Sequence, residues 1–360
     1  VTGYLLRRLA ASALLLYLVL TVTFVLLHLV PGGPLATLDS MDIPKHTREL
    51  LIHAWGLDRP LPEQYVRWLA AVTLHGNWGV SLEQSRAVSA VVGEALPPTL
   101  ALAGAALLVE YAVGVPLGVA AARRKGTLAD ASIRAATLLL YSQPVFWVAL
   151  LATLLFSYRL HWLPASNMQS TGADELGAGA RLLDFVRHLA LPALTLGLVE
   201  AGAAARYVRA ALLDVMESDY IRTARAKGLS ERRVVWVHGM RPVLVPLIQL
   251  LGISVPLLLS GVVIVEVVFS WPGLGRITFD AILARDYPVV IATTALSAAL
   301  VIGGNLVADL LHVAADPRLR TVRTVRTMRT PRTPRTPPTA EHGPGGDARG
   351  ADGARGARRA

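Results

Sequence analysis

Residues 219–233 read DYIRTARAKGLSERR, a charged stretch with one glycine, set between an apolar run ending near Leu213 and another beginning near Val243. Its neighbours decide the fold. A membrane-spanning helix needs roughly 20 mainly apolar residues. Six stretches qualify: about Leu9–Val30, Thr99–Ala122, Ser132–Phe156, His188–Ala210, Val243–Phe269 and Pro288–Ala314. The 219–233 segment is therefore a connection between two spans, and the expected fold class is an all-α integral membrane protein with six transmembrane helices.

Composition agrees. Hydrophobic residues make up 53% of the 360 and charged residues 17%, whereas soluble domains run near a quarter charged. There is no cysteine, which excludes disulfide frameworks, thiol nucleophiles and Cys-ligated metals. The net charge of +10 owes much to arginines in the last forty residues. Basic residues flanking apolar runs suit the cytoplasmic face of a membrane, and no nucleic acid partner is expected. Arg7 and Arg8 precede the first run as in a signal peptide. That run, however, exceeds the roughly 7–15 residues of a signal core and no small-x-small site follows, so a retained span is expected.

Arg7–Arg8, the Arg123–Arg124–Lys125 turn, the 206–241 connection and the tail are rich in Arg and Lys. They fall on one side if both termini are cytoplasmic. The chain then divides into 1–30 (N-terminus and first span), 31–97 (extracytoplasmic loop), 98–320 (five-span core) and 321–360. The last segment, TVRTVRTMRTPRTPRTPPT and a Gly/Ala/Arg run, lacks the large apolar residues a core requires and is expected to be disordered. In the outer loop, Leu61, Tyr65, Trp68, Leu69 and Val72 follow Pro60 and Pro62 at helical spacing, which predicts a short interfacial or packing helix. Pro116, Pro144, Pro192, Pro246 and Pro256 interrupt spans, a pattern tolerated where neighbours or a watery cavity satisfy freed carbonyls.

Ionisable residues at membrane depth are functional candidates. Glu110, Glu200 and Glu266 qualify, with His28, Asn305 and Asp309 in or near spans. Glu110 is the most central. Glu266 and Asp309 lie close enough to span ends for capping or snorkelling to explain them. HExxH, GxSxG and GxxxxGK[ST] are all missing. No catalytic residue, metal site or cofactor is expected, and any nucleotide that powers transport binds elsewhere.

The 219–233 stretch carries more than orientation. Met216, Tyr220, Ala224 and Gly228 recur every four residues, which predicts an exposed helical strip against which a partner packs. Arg222, Arg225 and Lys227 lie off it. Gly228 stands where a helix would end in a left-handed residue, Leu229 follows as an apolar cap contact, and Ser230 opens a second short helix. The expectation is a compact knob.

These residues resemble a known family. Tyr220–Ala226 followed by Lys227-Gly228-Leu229-Ser230 is similar to the cytoplasmic loop of ABC-importer permeases, in the variant of the dipeptide, oligopeptide and nickel branch. Arg222-Thr223-Ala224 stands where the general form has Glu-Ala-Ala. His238-Gly239-Met240-Arg241-Pro242 resembles the branch's next segment, with Pro242 in place of asparagine. LLRRLAASALLLYLVLTVTFVLLHLVPGGP, GLDRPLPEQYVRWL, GNWGVSL, VEVVFSWPGLGR, ILARDYPVV and the NLVADLL and DPRLR ending resemble further segments in the same order.

The resemblance covers roughly 1–320. It implies a type I importer permease with cytoplasmic coupling helices, multi-pass in the cell membrane. The implied partners are a second homologous permease, two cytoplasmic ATP-binding subunits and an extracytoplasmic substrate-binding protein. ATP hydrolysis would reside on the partners. Tyr220, Arg222, Thr223, Ala224, Lys227, Gly228, Leu229 and Ser230 would couple to the ATPase, and Glu110, Glu266, Pro272, Gly273 and Gly275 become candidates for gate or path. A proton-coupled secondary carrier using Glu110 is the alternative.

Overall fold

A computed structural model describes residues 2–29, 46, 49, 52–53 and 58–315. The expected disordered tail, 321–360, and most of 30–57 lie outside the described residues.

The described chain is helical, with one isolated bridge between Val80 and Ala87. In order the helices are α1 (Thr2–Leu29), α2 (Leu61–His75), α3 (Val88–Arg123), α4 (Leu128–Tyr141), α5 (Val145–Ala152), α6 (Ala178–Met216), α7 (Asp219–Ala226), α8 (Glu231–Arg233), α9 (Met240–Val268), α10 (Leu274–Ala284) and α11 (Tyr287–Ala315). Among the described residues, five helical stretches are long and apolar enough to cross a membrane: Leu6–Leu29, Val88–Arg123, Ala178–Met216, Glu231–Pro256 and Tyr287–Leu311.

The expected span at Ser132–Phe156 is not one rod. It is α4 joined to Val145–Arg159 through a bend of 99°. Pro144 sits at the bend, where its ring disfavours helical geometry in the residue before it. The other prolines break nothing as sharply. Pro116 stays within α3, Pro192 within α6, and Pro246 and Pro256 within α9.

The centre of the bundle is the pair α3–α6, with α9 packed on both. In a bilayer the lipid tails are as apolar as leucine, so close backbone approach drives association. A Cβ on Gly114 would stand 2.7 Å from the Ala204 Cβ and 2.8 Å from the Ala201 oxygen. One on Gly197 would stand 2.6 Å from the Ala106 oxygen. Gly114-x-x-x-Gly118 is thus a small-residue seam. Leu102, Ala106, Leu191, Leu196, Leu258, Val262, Phe269 and Trp271 form the adjoining core.

The periphery is looser. α1 packs on α11 and leaves Leu6, Leu9, Leu14 and Leu15 exposed, as a lipid-facing surface would. The predicted outer helix is α2, and it is a packing helix. Phe24 of α1 stacks on Trp68 at 5.4 Å, and the hydroxyls of Thr21 and Tyr65 share a hydrogen bond of 2.6 Å.

Candidate functional site

The connection between α6 and α9 begins where α6 stops. α6 ends at Met216, and α7 restarts after Ser218, whose carbonyl accepts the N–H groups of Ile221 (3.1 Å) and Arg222 (3.3 Å). The restart rotates the register. Met216, Tyr220, Ala224 and Gly228 therefore do not form one exposed strip, which corrects the sequence expectation. Ile221 and Ala224 point inward, 0% and 6% exposed, and pack with Val234 against Val215, Met216 and Leu229. Tyr220, Arg222, Thr223, Lys227, Gly228 and Ser230 are left outside.

The turn after α7 follows its expected chemistry. Gly228 has φ +74°, the left-handed region that favours glycine. Its N–H donates to the Arg225 carbonyl at 2.9 Å, and the Leu229 N–H donates to the Ala224 carbonyl at 3.4 Å. These bonds satisfy carbonyls that a helix end leaves open, and Leu229 folds back as the apolar contact. The Arg225 guanidinium pairs with Glu231 at 2.7 Å across the turn.

The second helix is not short. The Ser230 carbonyl accepts the Val234 N–H at 2.9 Å, and α8 continues through a widened π turn, Val234–Gly239, into α9. Pro242 sits in the first turn of α9 and cannot donate to the carbonyl four residues before it, so the helix loosens beside it. The knob is one short helix clamped onto the root of a span. A cleft of about 430 Å³ beside it is lined by Arg123, Lys125, Met216, Glu217, Arg225 and Glu231.

The other named residues form a second cluster at the far end of α9. Glu266 is 0% exposed. Its Oε1 accepts the Thr99 hydroxyl at 2.6 Å and its Oε2 accepts the Arg276 N–H at 3.0 Å. Thr99 Oγ1 in turn accepts the Leu274 N–H at 2.7 Å. Together they cap the N-terminus of α10, where open N–H groups and the helix dipole favour a carboxylate. A Cβ on Gly273 would overlap that carboxylate, and one on Gly275 would stand 2.6 Å from the Val263 Cα. Trp271, fully buried, donates from its indole to the Pro98 carbonyl at 2.9 Å. Pro272 is exposed. Thus Glu266, Gly273 and Gly275 meet in one closed knot, by the capping explanation open from the sequence.

Glu110 lies in neither cluster. It is 1% exposed in α3, level with the α6 stretch 197–201, and its Oε1 accepts the Ser254 hydroxyl at 2.7 Å. Its Oε2 is buried with no protein partner. Among the described residues no group of three His, Asp or Glu side chains is placed to hold a metal ion.

Sequence reasoning missed two features. Thr99 carried no signal beyond its place at the start of a span. Asp130, buried, and Arg209, half-buried, form an ion pair across 79 residues, and only the Thr127-x-x-Asp130 capping pattern hinted at the first of them.

Comparison with known proteins brings the two ends together. The model of the binding-protein-dependent transport system inner membrane component matches residues 114–321, and the model of that family's N-terminal part matches 1–103. The oligopeptide transport system permease protein AppB of Bacillus subtilis is 36% identical over 318 residues, covering 88% of this chain and 99% of the relative. The di/tripeptide transport system permease protein DppB of Pseudomonas aeruginosa is 40% identical over 337 residues, covering 88% and 98%. The dipeptide permease DppB of Escherichia coli K12 is 34% identical over 334 residues, with the same coverage. Among solved structures, the inward-facing MetNI methionine ABC transporter matches with a TM-score of 0.50 and 19% identity, covering 63% of this chain and 96% of that one. The last likeness shows the fold alone, a type I permease. Transport by such a chain is powered by separate ATP-binding components and supplied by a substrate-binding component, and the comparisons give no support to a proton-coupled carrier. The chain belongs to the binding-protein-dependent transport inner-membrane family: it is a multi-pass permease subunit of an ABC importer.

Proposed function

We propose that this chain, paired with a second homologous permease and two ATP-binding subunits, forms the membrane path for short peptides. The observation that carries the reading is the seating of α7. Ile221 and Ala224 fasten the helix to the end of α6 while Tyr220, Arg222, Thr223 and Lys227 face outward. An ATP-binding subunit that holds this exposed face moves the span directly beneath it. The peptide class is drawn from the relatives, which are named for oligopeptides, dipeptides and di/tripeptides.

Ion pairs support the orientation. Lys125 after α3 lies 3.2 Å from Glu217 after α6, so both ends share a side with α7. Arg8 of α1 pairs with Asp309 of α11, which brings the described ends of the chain together. The basic 123–125 turn supports a cytoplasmic α7 side, and both termini follow if α1 and α11 run with their paired ends there.

Glu110 and Glu266 act as fixing groups within this subunit, because each is buried against a neighbouring helix. Gly273 and Gly275 permit that fixing, and Pro272 is the member of the group that faces outward.

The test is uptake of a labelled dipeptide into proteoliposomes holding both permeases, the ATP-binding subunits and the binding protein. ATP-dependent accumulation, lost when Arg222 and Lys227 are both changed to Glu, supports the reading. Accumulation that persists in the double variant overturns the docking assignment.

A further inference from the structure

Docking of α7 leaves one strongly built element on the cytoplasmic side without a use. Asp130 stands in the first turn of α4, where Thr127 caps the helix and accepts the Asp130 N–H at 3.4 Å. The Asp130 Oδ2 accepts the Gly126 N–H at 3.1 Å. Arg209 of α6 then grips both carboxylate oxygens, Nε to Oδ1 at 2.8 Å and a terminal nitrogen to Oδ2 at 2.8 Å. Arg134 adds a contact of 3.3 Å, and the Asp130 side chain is 1% exposed. A two-bond fork between guanidinium and carboxylate fixes orientation as well as distance.

Two more contacts tie the same helices. A Cβ on Gly202 of α6 would stand 2.5 Å from the Thr137 carbonyl oxygen of α4. The Arg206 guanidinium lies 4.4 Å above the Tyr141 ring. α4 is thereby clamped to α6 from its first turn to its last, and none of the three contacts reaches α5 beyond the 99° bend. At its other side the end of α6 carries α7, through Val215 and Met216. Gly202 and Tyr141 supply apolar or loosely directional contact, which permits sliding. The Asp130–Arg209 fork is directional and stands seven positions before the end of α6.

We propose that the Asp130–Arg209 fork is the joint through which movement of α7 reaches the bent pair α4–α5, so that without it ATP is hydrolysed without uptake. Both are positioning residues for transport. This rests on the reading of α7 as the ATPase dock, which co-purification of the ATP-binding subunit tests separately.

The experiment measures labelled-dipeptide uptake per ATP hydrolysed by the complete transporter in proteoliposomes, with ATPase co-purification recorded for every variant. Asp130→Asn and Arg209→Gln should lower uptake per ATP about tenfold, with ATP hydrolysis within about twofold of the parent and the ATPase still bound. Arg209→Lys, which keeps the charge and loses the fork, should fall between. Uptake and hydrolysis that drop in parallel overturn the proposal, as does an unchanged ratio in all three variants. Loss of bound ATPase together with uptake also overturns it, since the fork would then serve docking alone. If Arg209→Gln fails to accumulate, Asp130→Asn and Arg209→Lys decide by the same ratio.

Discussion

The hydroxyl of Thr99 donates to Oε1 of Glu266 at 2.6 Å, across 167 residues of chain, while its oxygen accepts the Leu274 N–H at 2.7 Å. One small side chain thus serves three helices: α3, which carries it, α9 and α10. Thr99→Val keeps the shape and removes both bonds, leaving a buried carboxylate oxygen and a buried N–H unpaired. A loss of about 1–3 kcal/mol is expected. It should appear as a lower unfolding midpoint in detergent, and Thr99→Ser should restore most of it. An unchanged midpoint for Thr99→Val would show that water or movement replaces the bonds.

Gly273 is sharper still. A methyl group there overlaps the Glu266 carboxylate, whereas Pro272 beside it is exposed. Gly273→Ala should therefore yield little monodisperse protein in size-exclusion chromatography, and Pro272→Ala should behave as the parent. Equal yields from the two would contradict the capping geometry.

The two faces of α7 predict two kinds of failure. Ala224→Arg places a charge where the side chain is 6% exposed and should unseat the helix from Val234. Protease sensitivity around 219–230 should rise, and ATPase association should fall. Arg222→Glu with Lys227→Glu alters the outer face, so association should fall with protease sensitivity unchanged. The same protease pattern in both would mean that α7 has no separate docking face.

Gly228 is a matter of backbone alone. Its φ is +74° and nothing lies within 4 Å of where a Cβ would be, so no clash accompanies a side chain. Gly228→Ala should cost about 1–2 kcal/mol for the left-handed geometry. Gly228→Asn should cost less, since asparagine tolerates that region. Amide hydrogen exchange at Leu229 reads the local loosening. Identical exchange in Gly228→Ala would remove the strain argument.

The helical class, the spans and the knob's turn were legible because they rest on local signals. Apolar length marked the spans, and the Gly228–Leu229 pair marked a helix end. What escaped depended on contacts between distant residues. The strip through Met216 and Tyr220 assumed one continuous helix, and the restart at Ser218 turned Ala224 inward. The bend at Pro144 could not be told from the tolerated prolines of α3, α6 and α9, because a proline's effect depends on which neighbours hold the helix together. Glu266 was visible as a span-end carboxylate, but Thr99 became its partner only through packing.

The distance in sequence between Asp130 and Arg209 bears on how the protein is made. The two are 79 residues apart, and at a synthesis rate of about 5–20 residues per second the second follows the first by about 4–16 s. During that interval α4 has emerged with its carboxylate held only by its own segment, through Arg134 and the Gly126 N–H, and without the Arg209 fork. The hypothesis is that α4 waits near the surface and settles only once α6 arrives, so Thr137→Cys nascent chains stalled before Arg209 should be open to thiol labelling that full-length chains, where Thr137 is 4% exposed against α6, exclude. Labelling that does not differ would mean that α4 settles unaided. On this account the ribosome's pace sets the order in which the bundle closes.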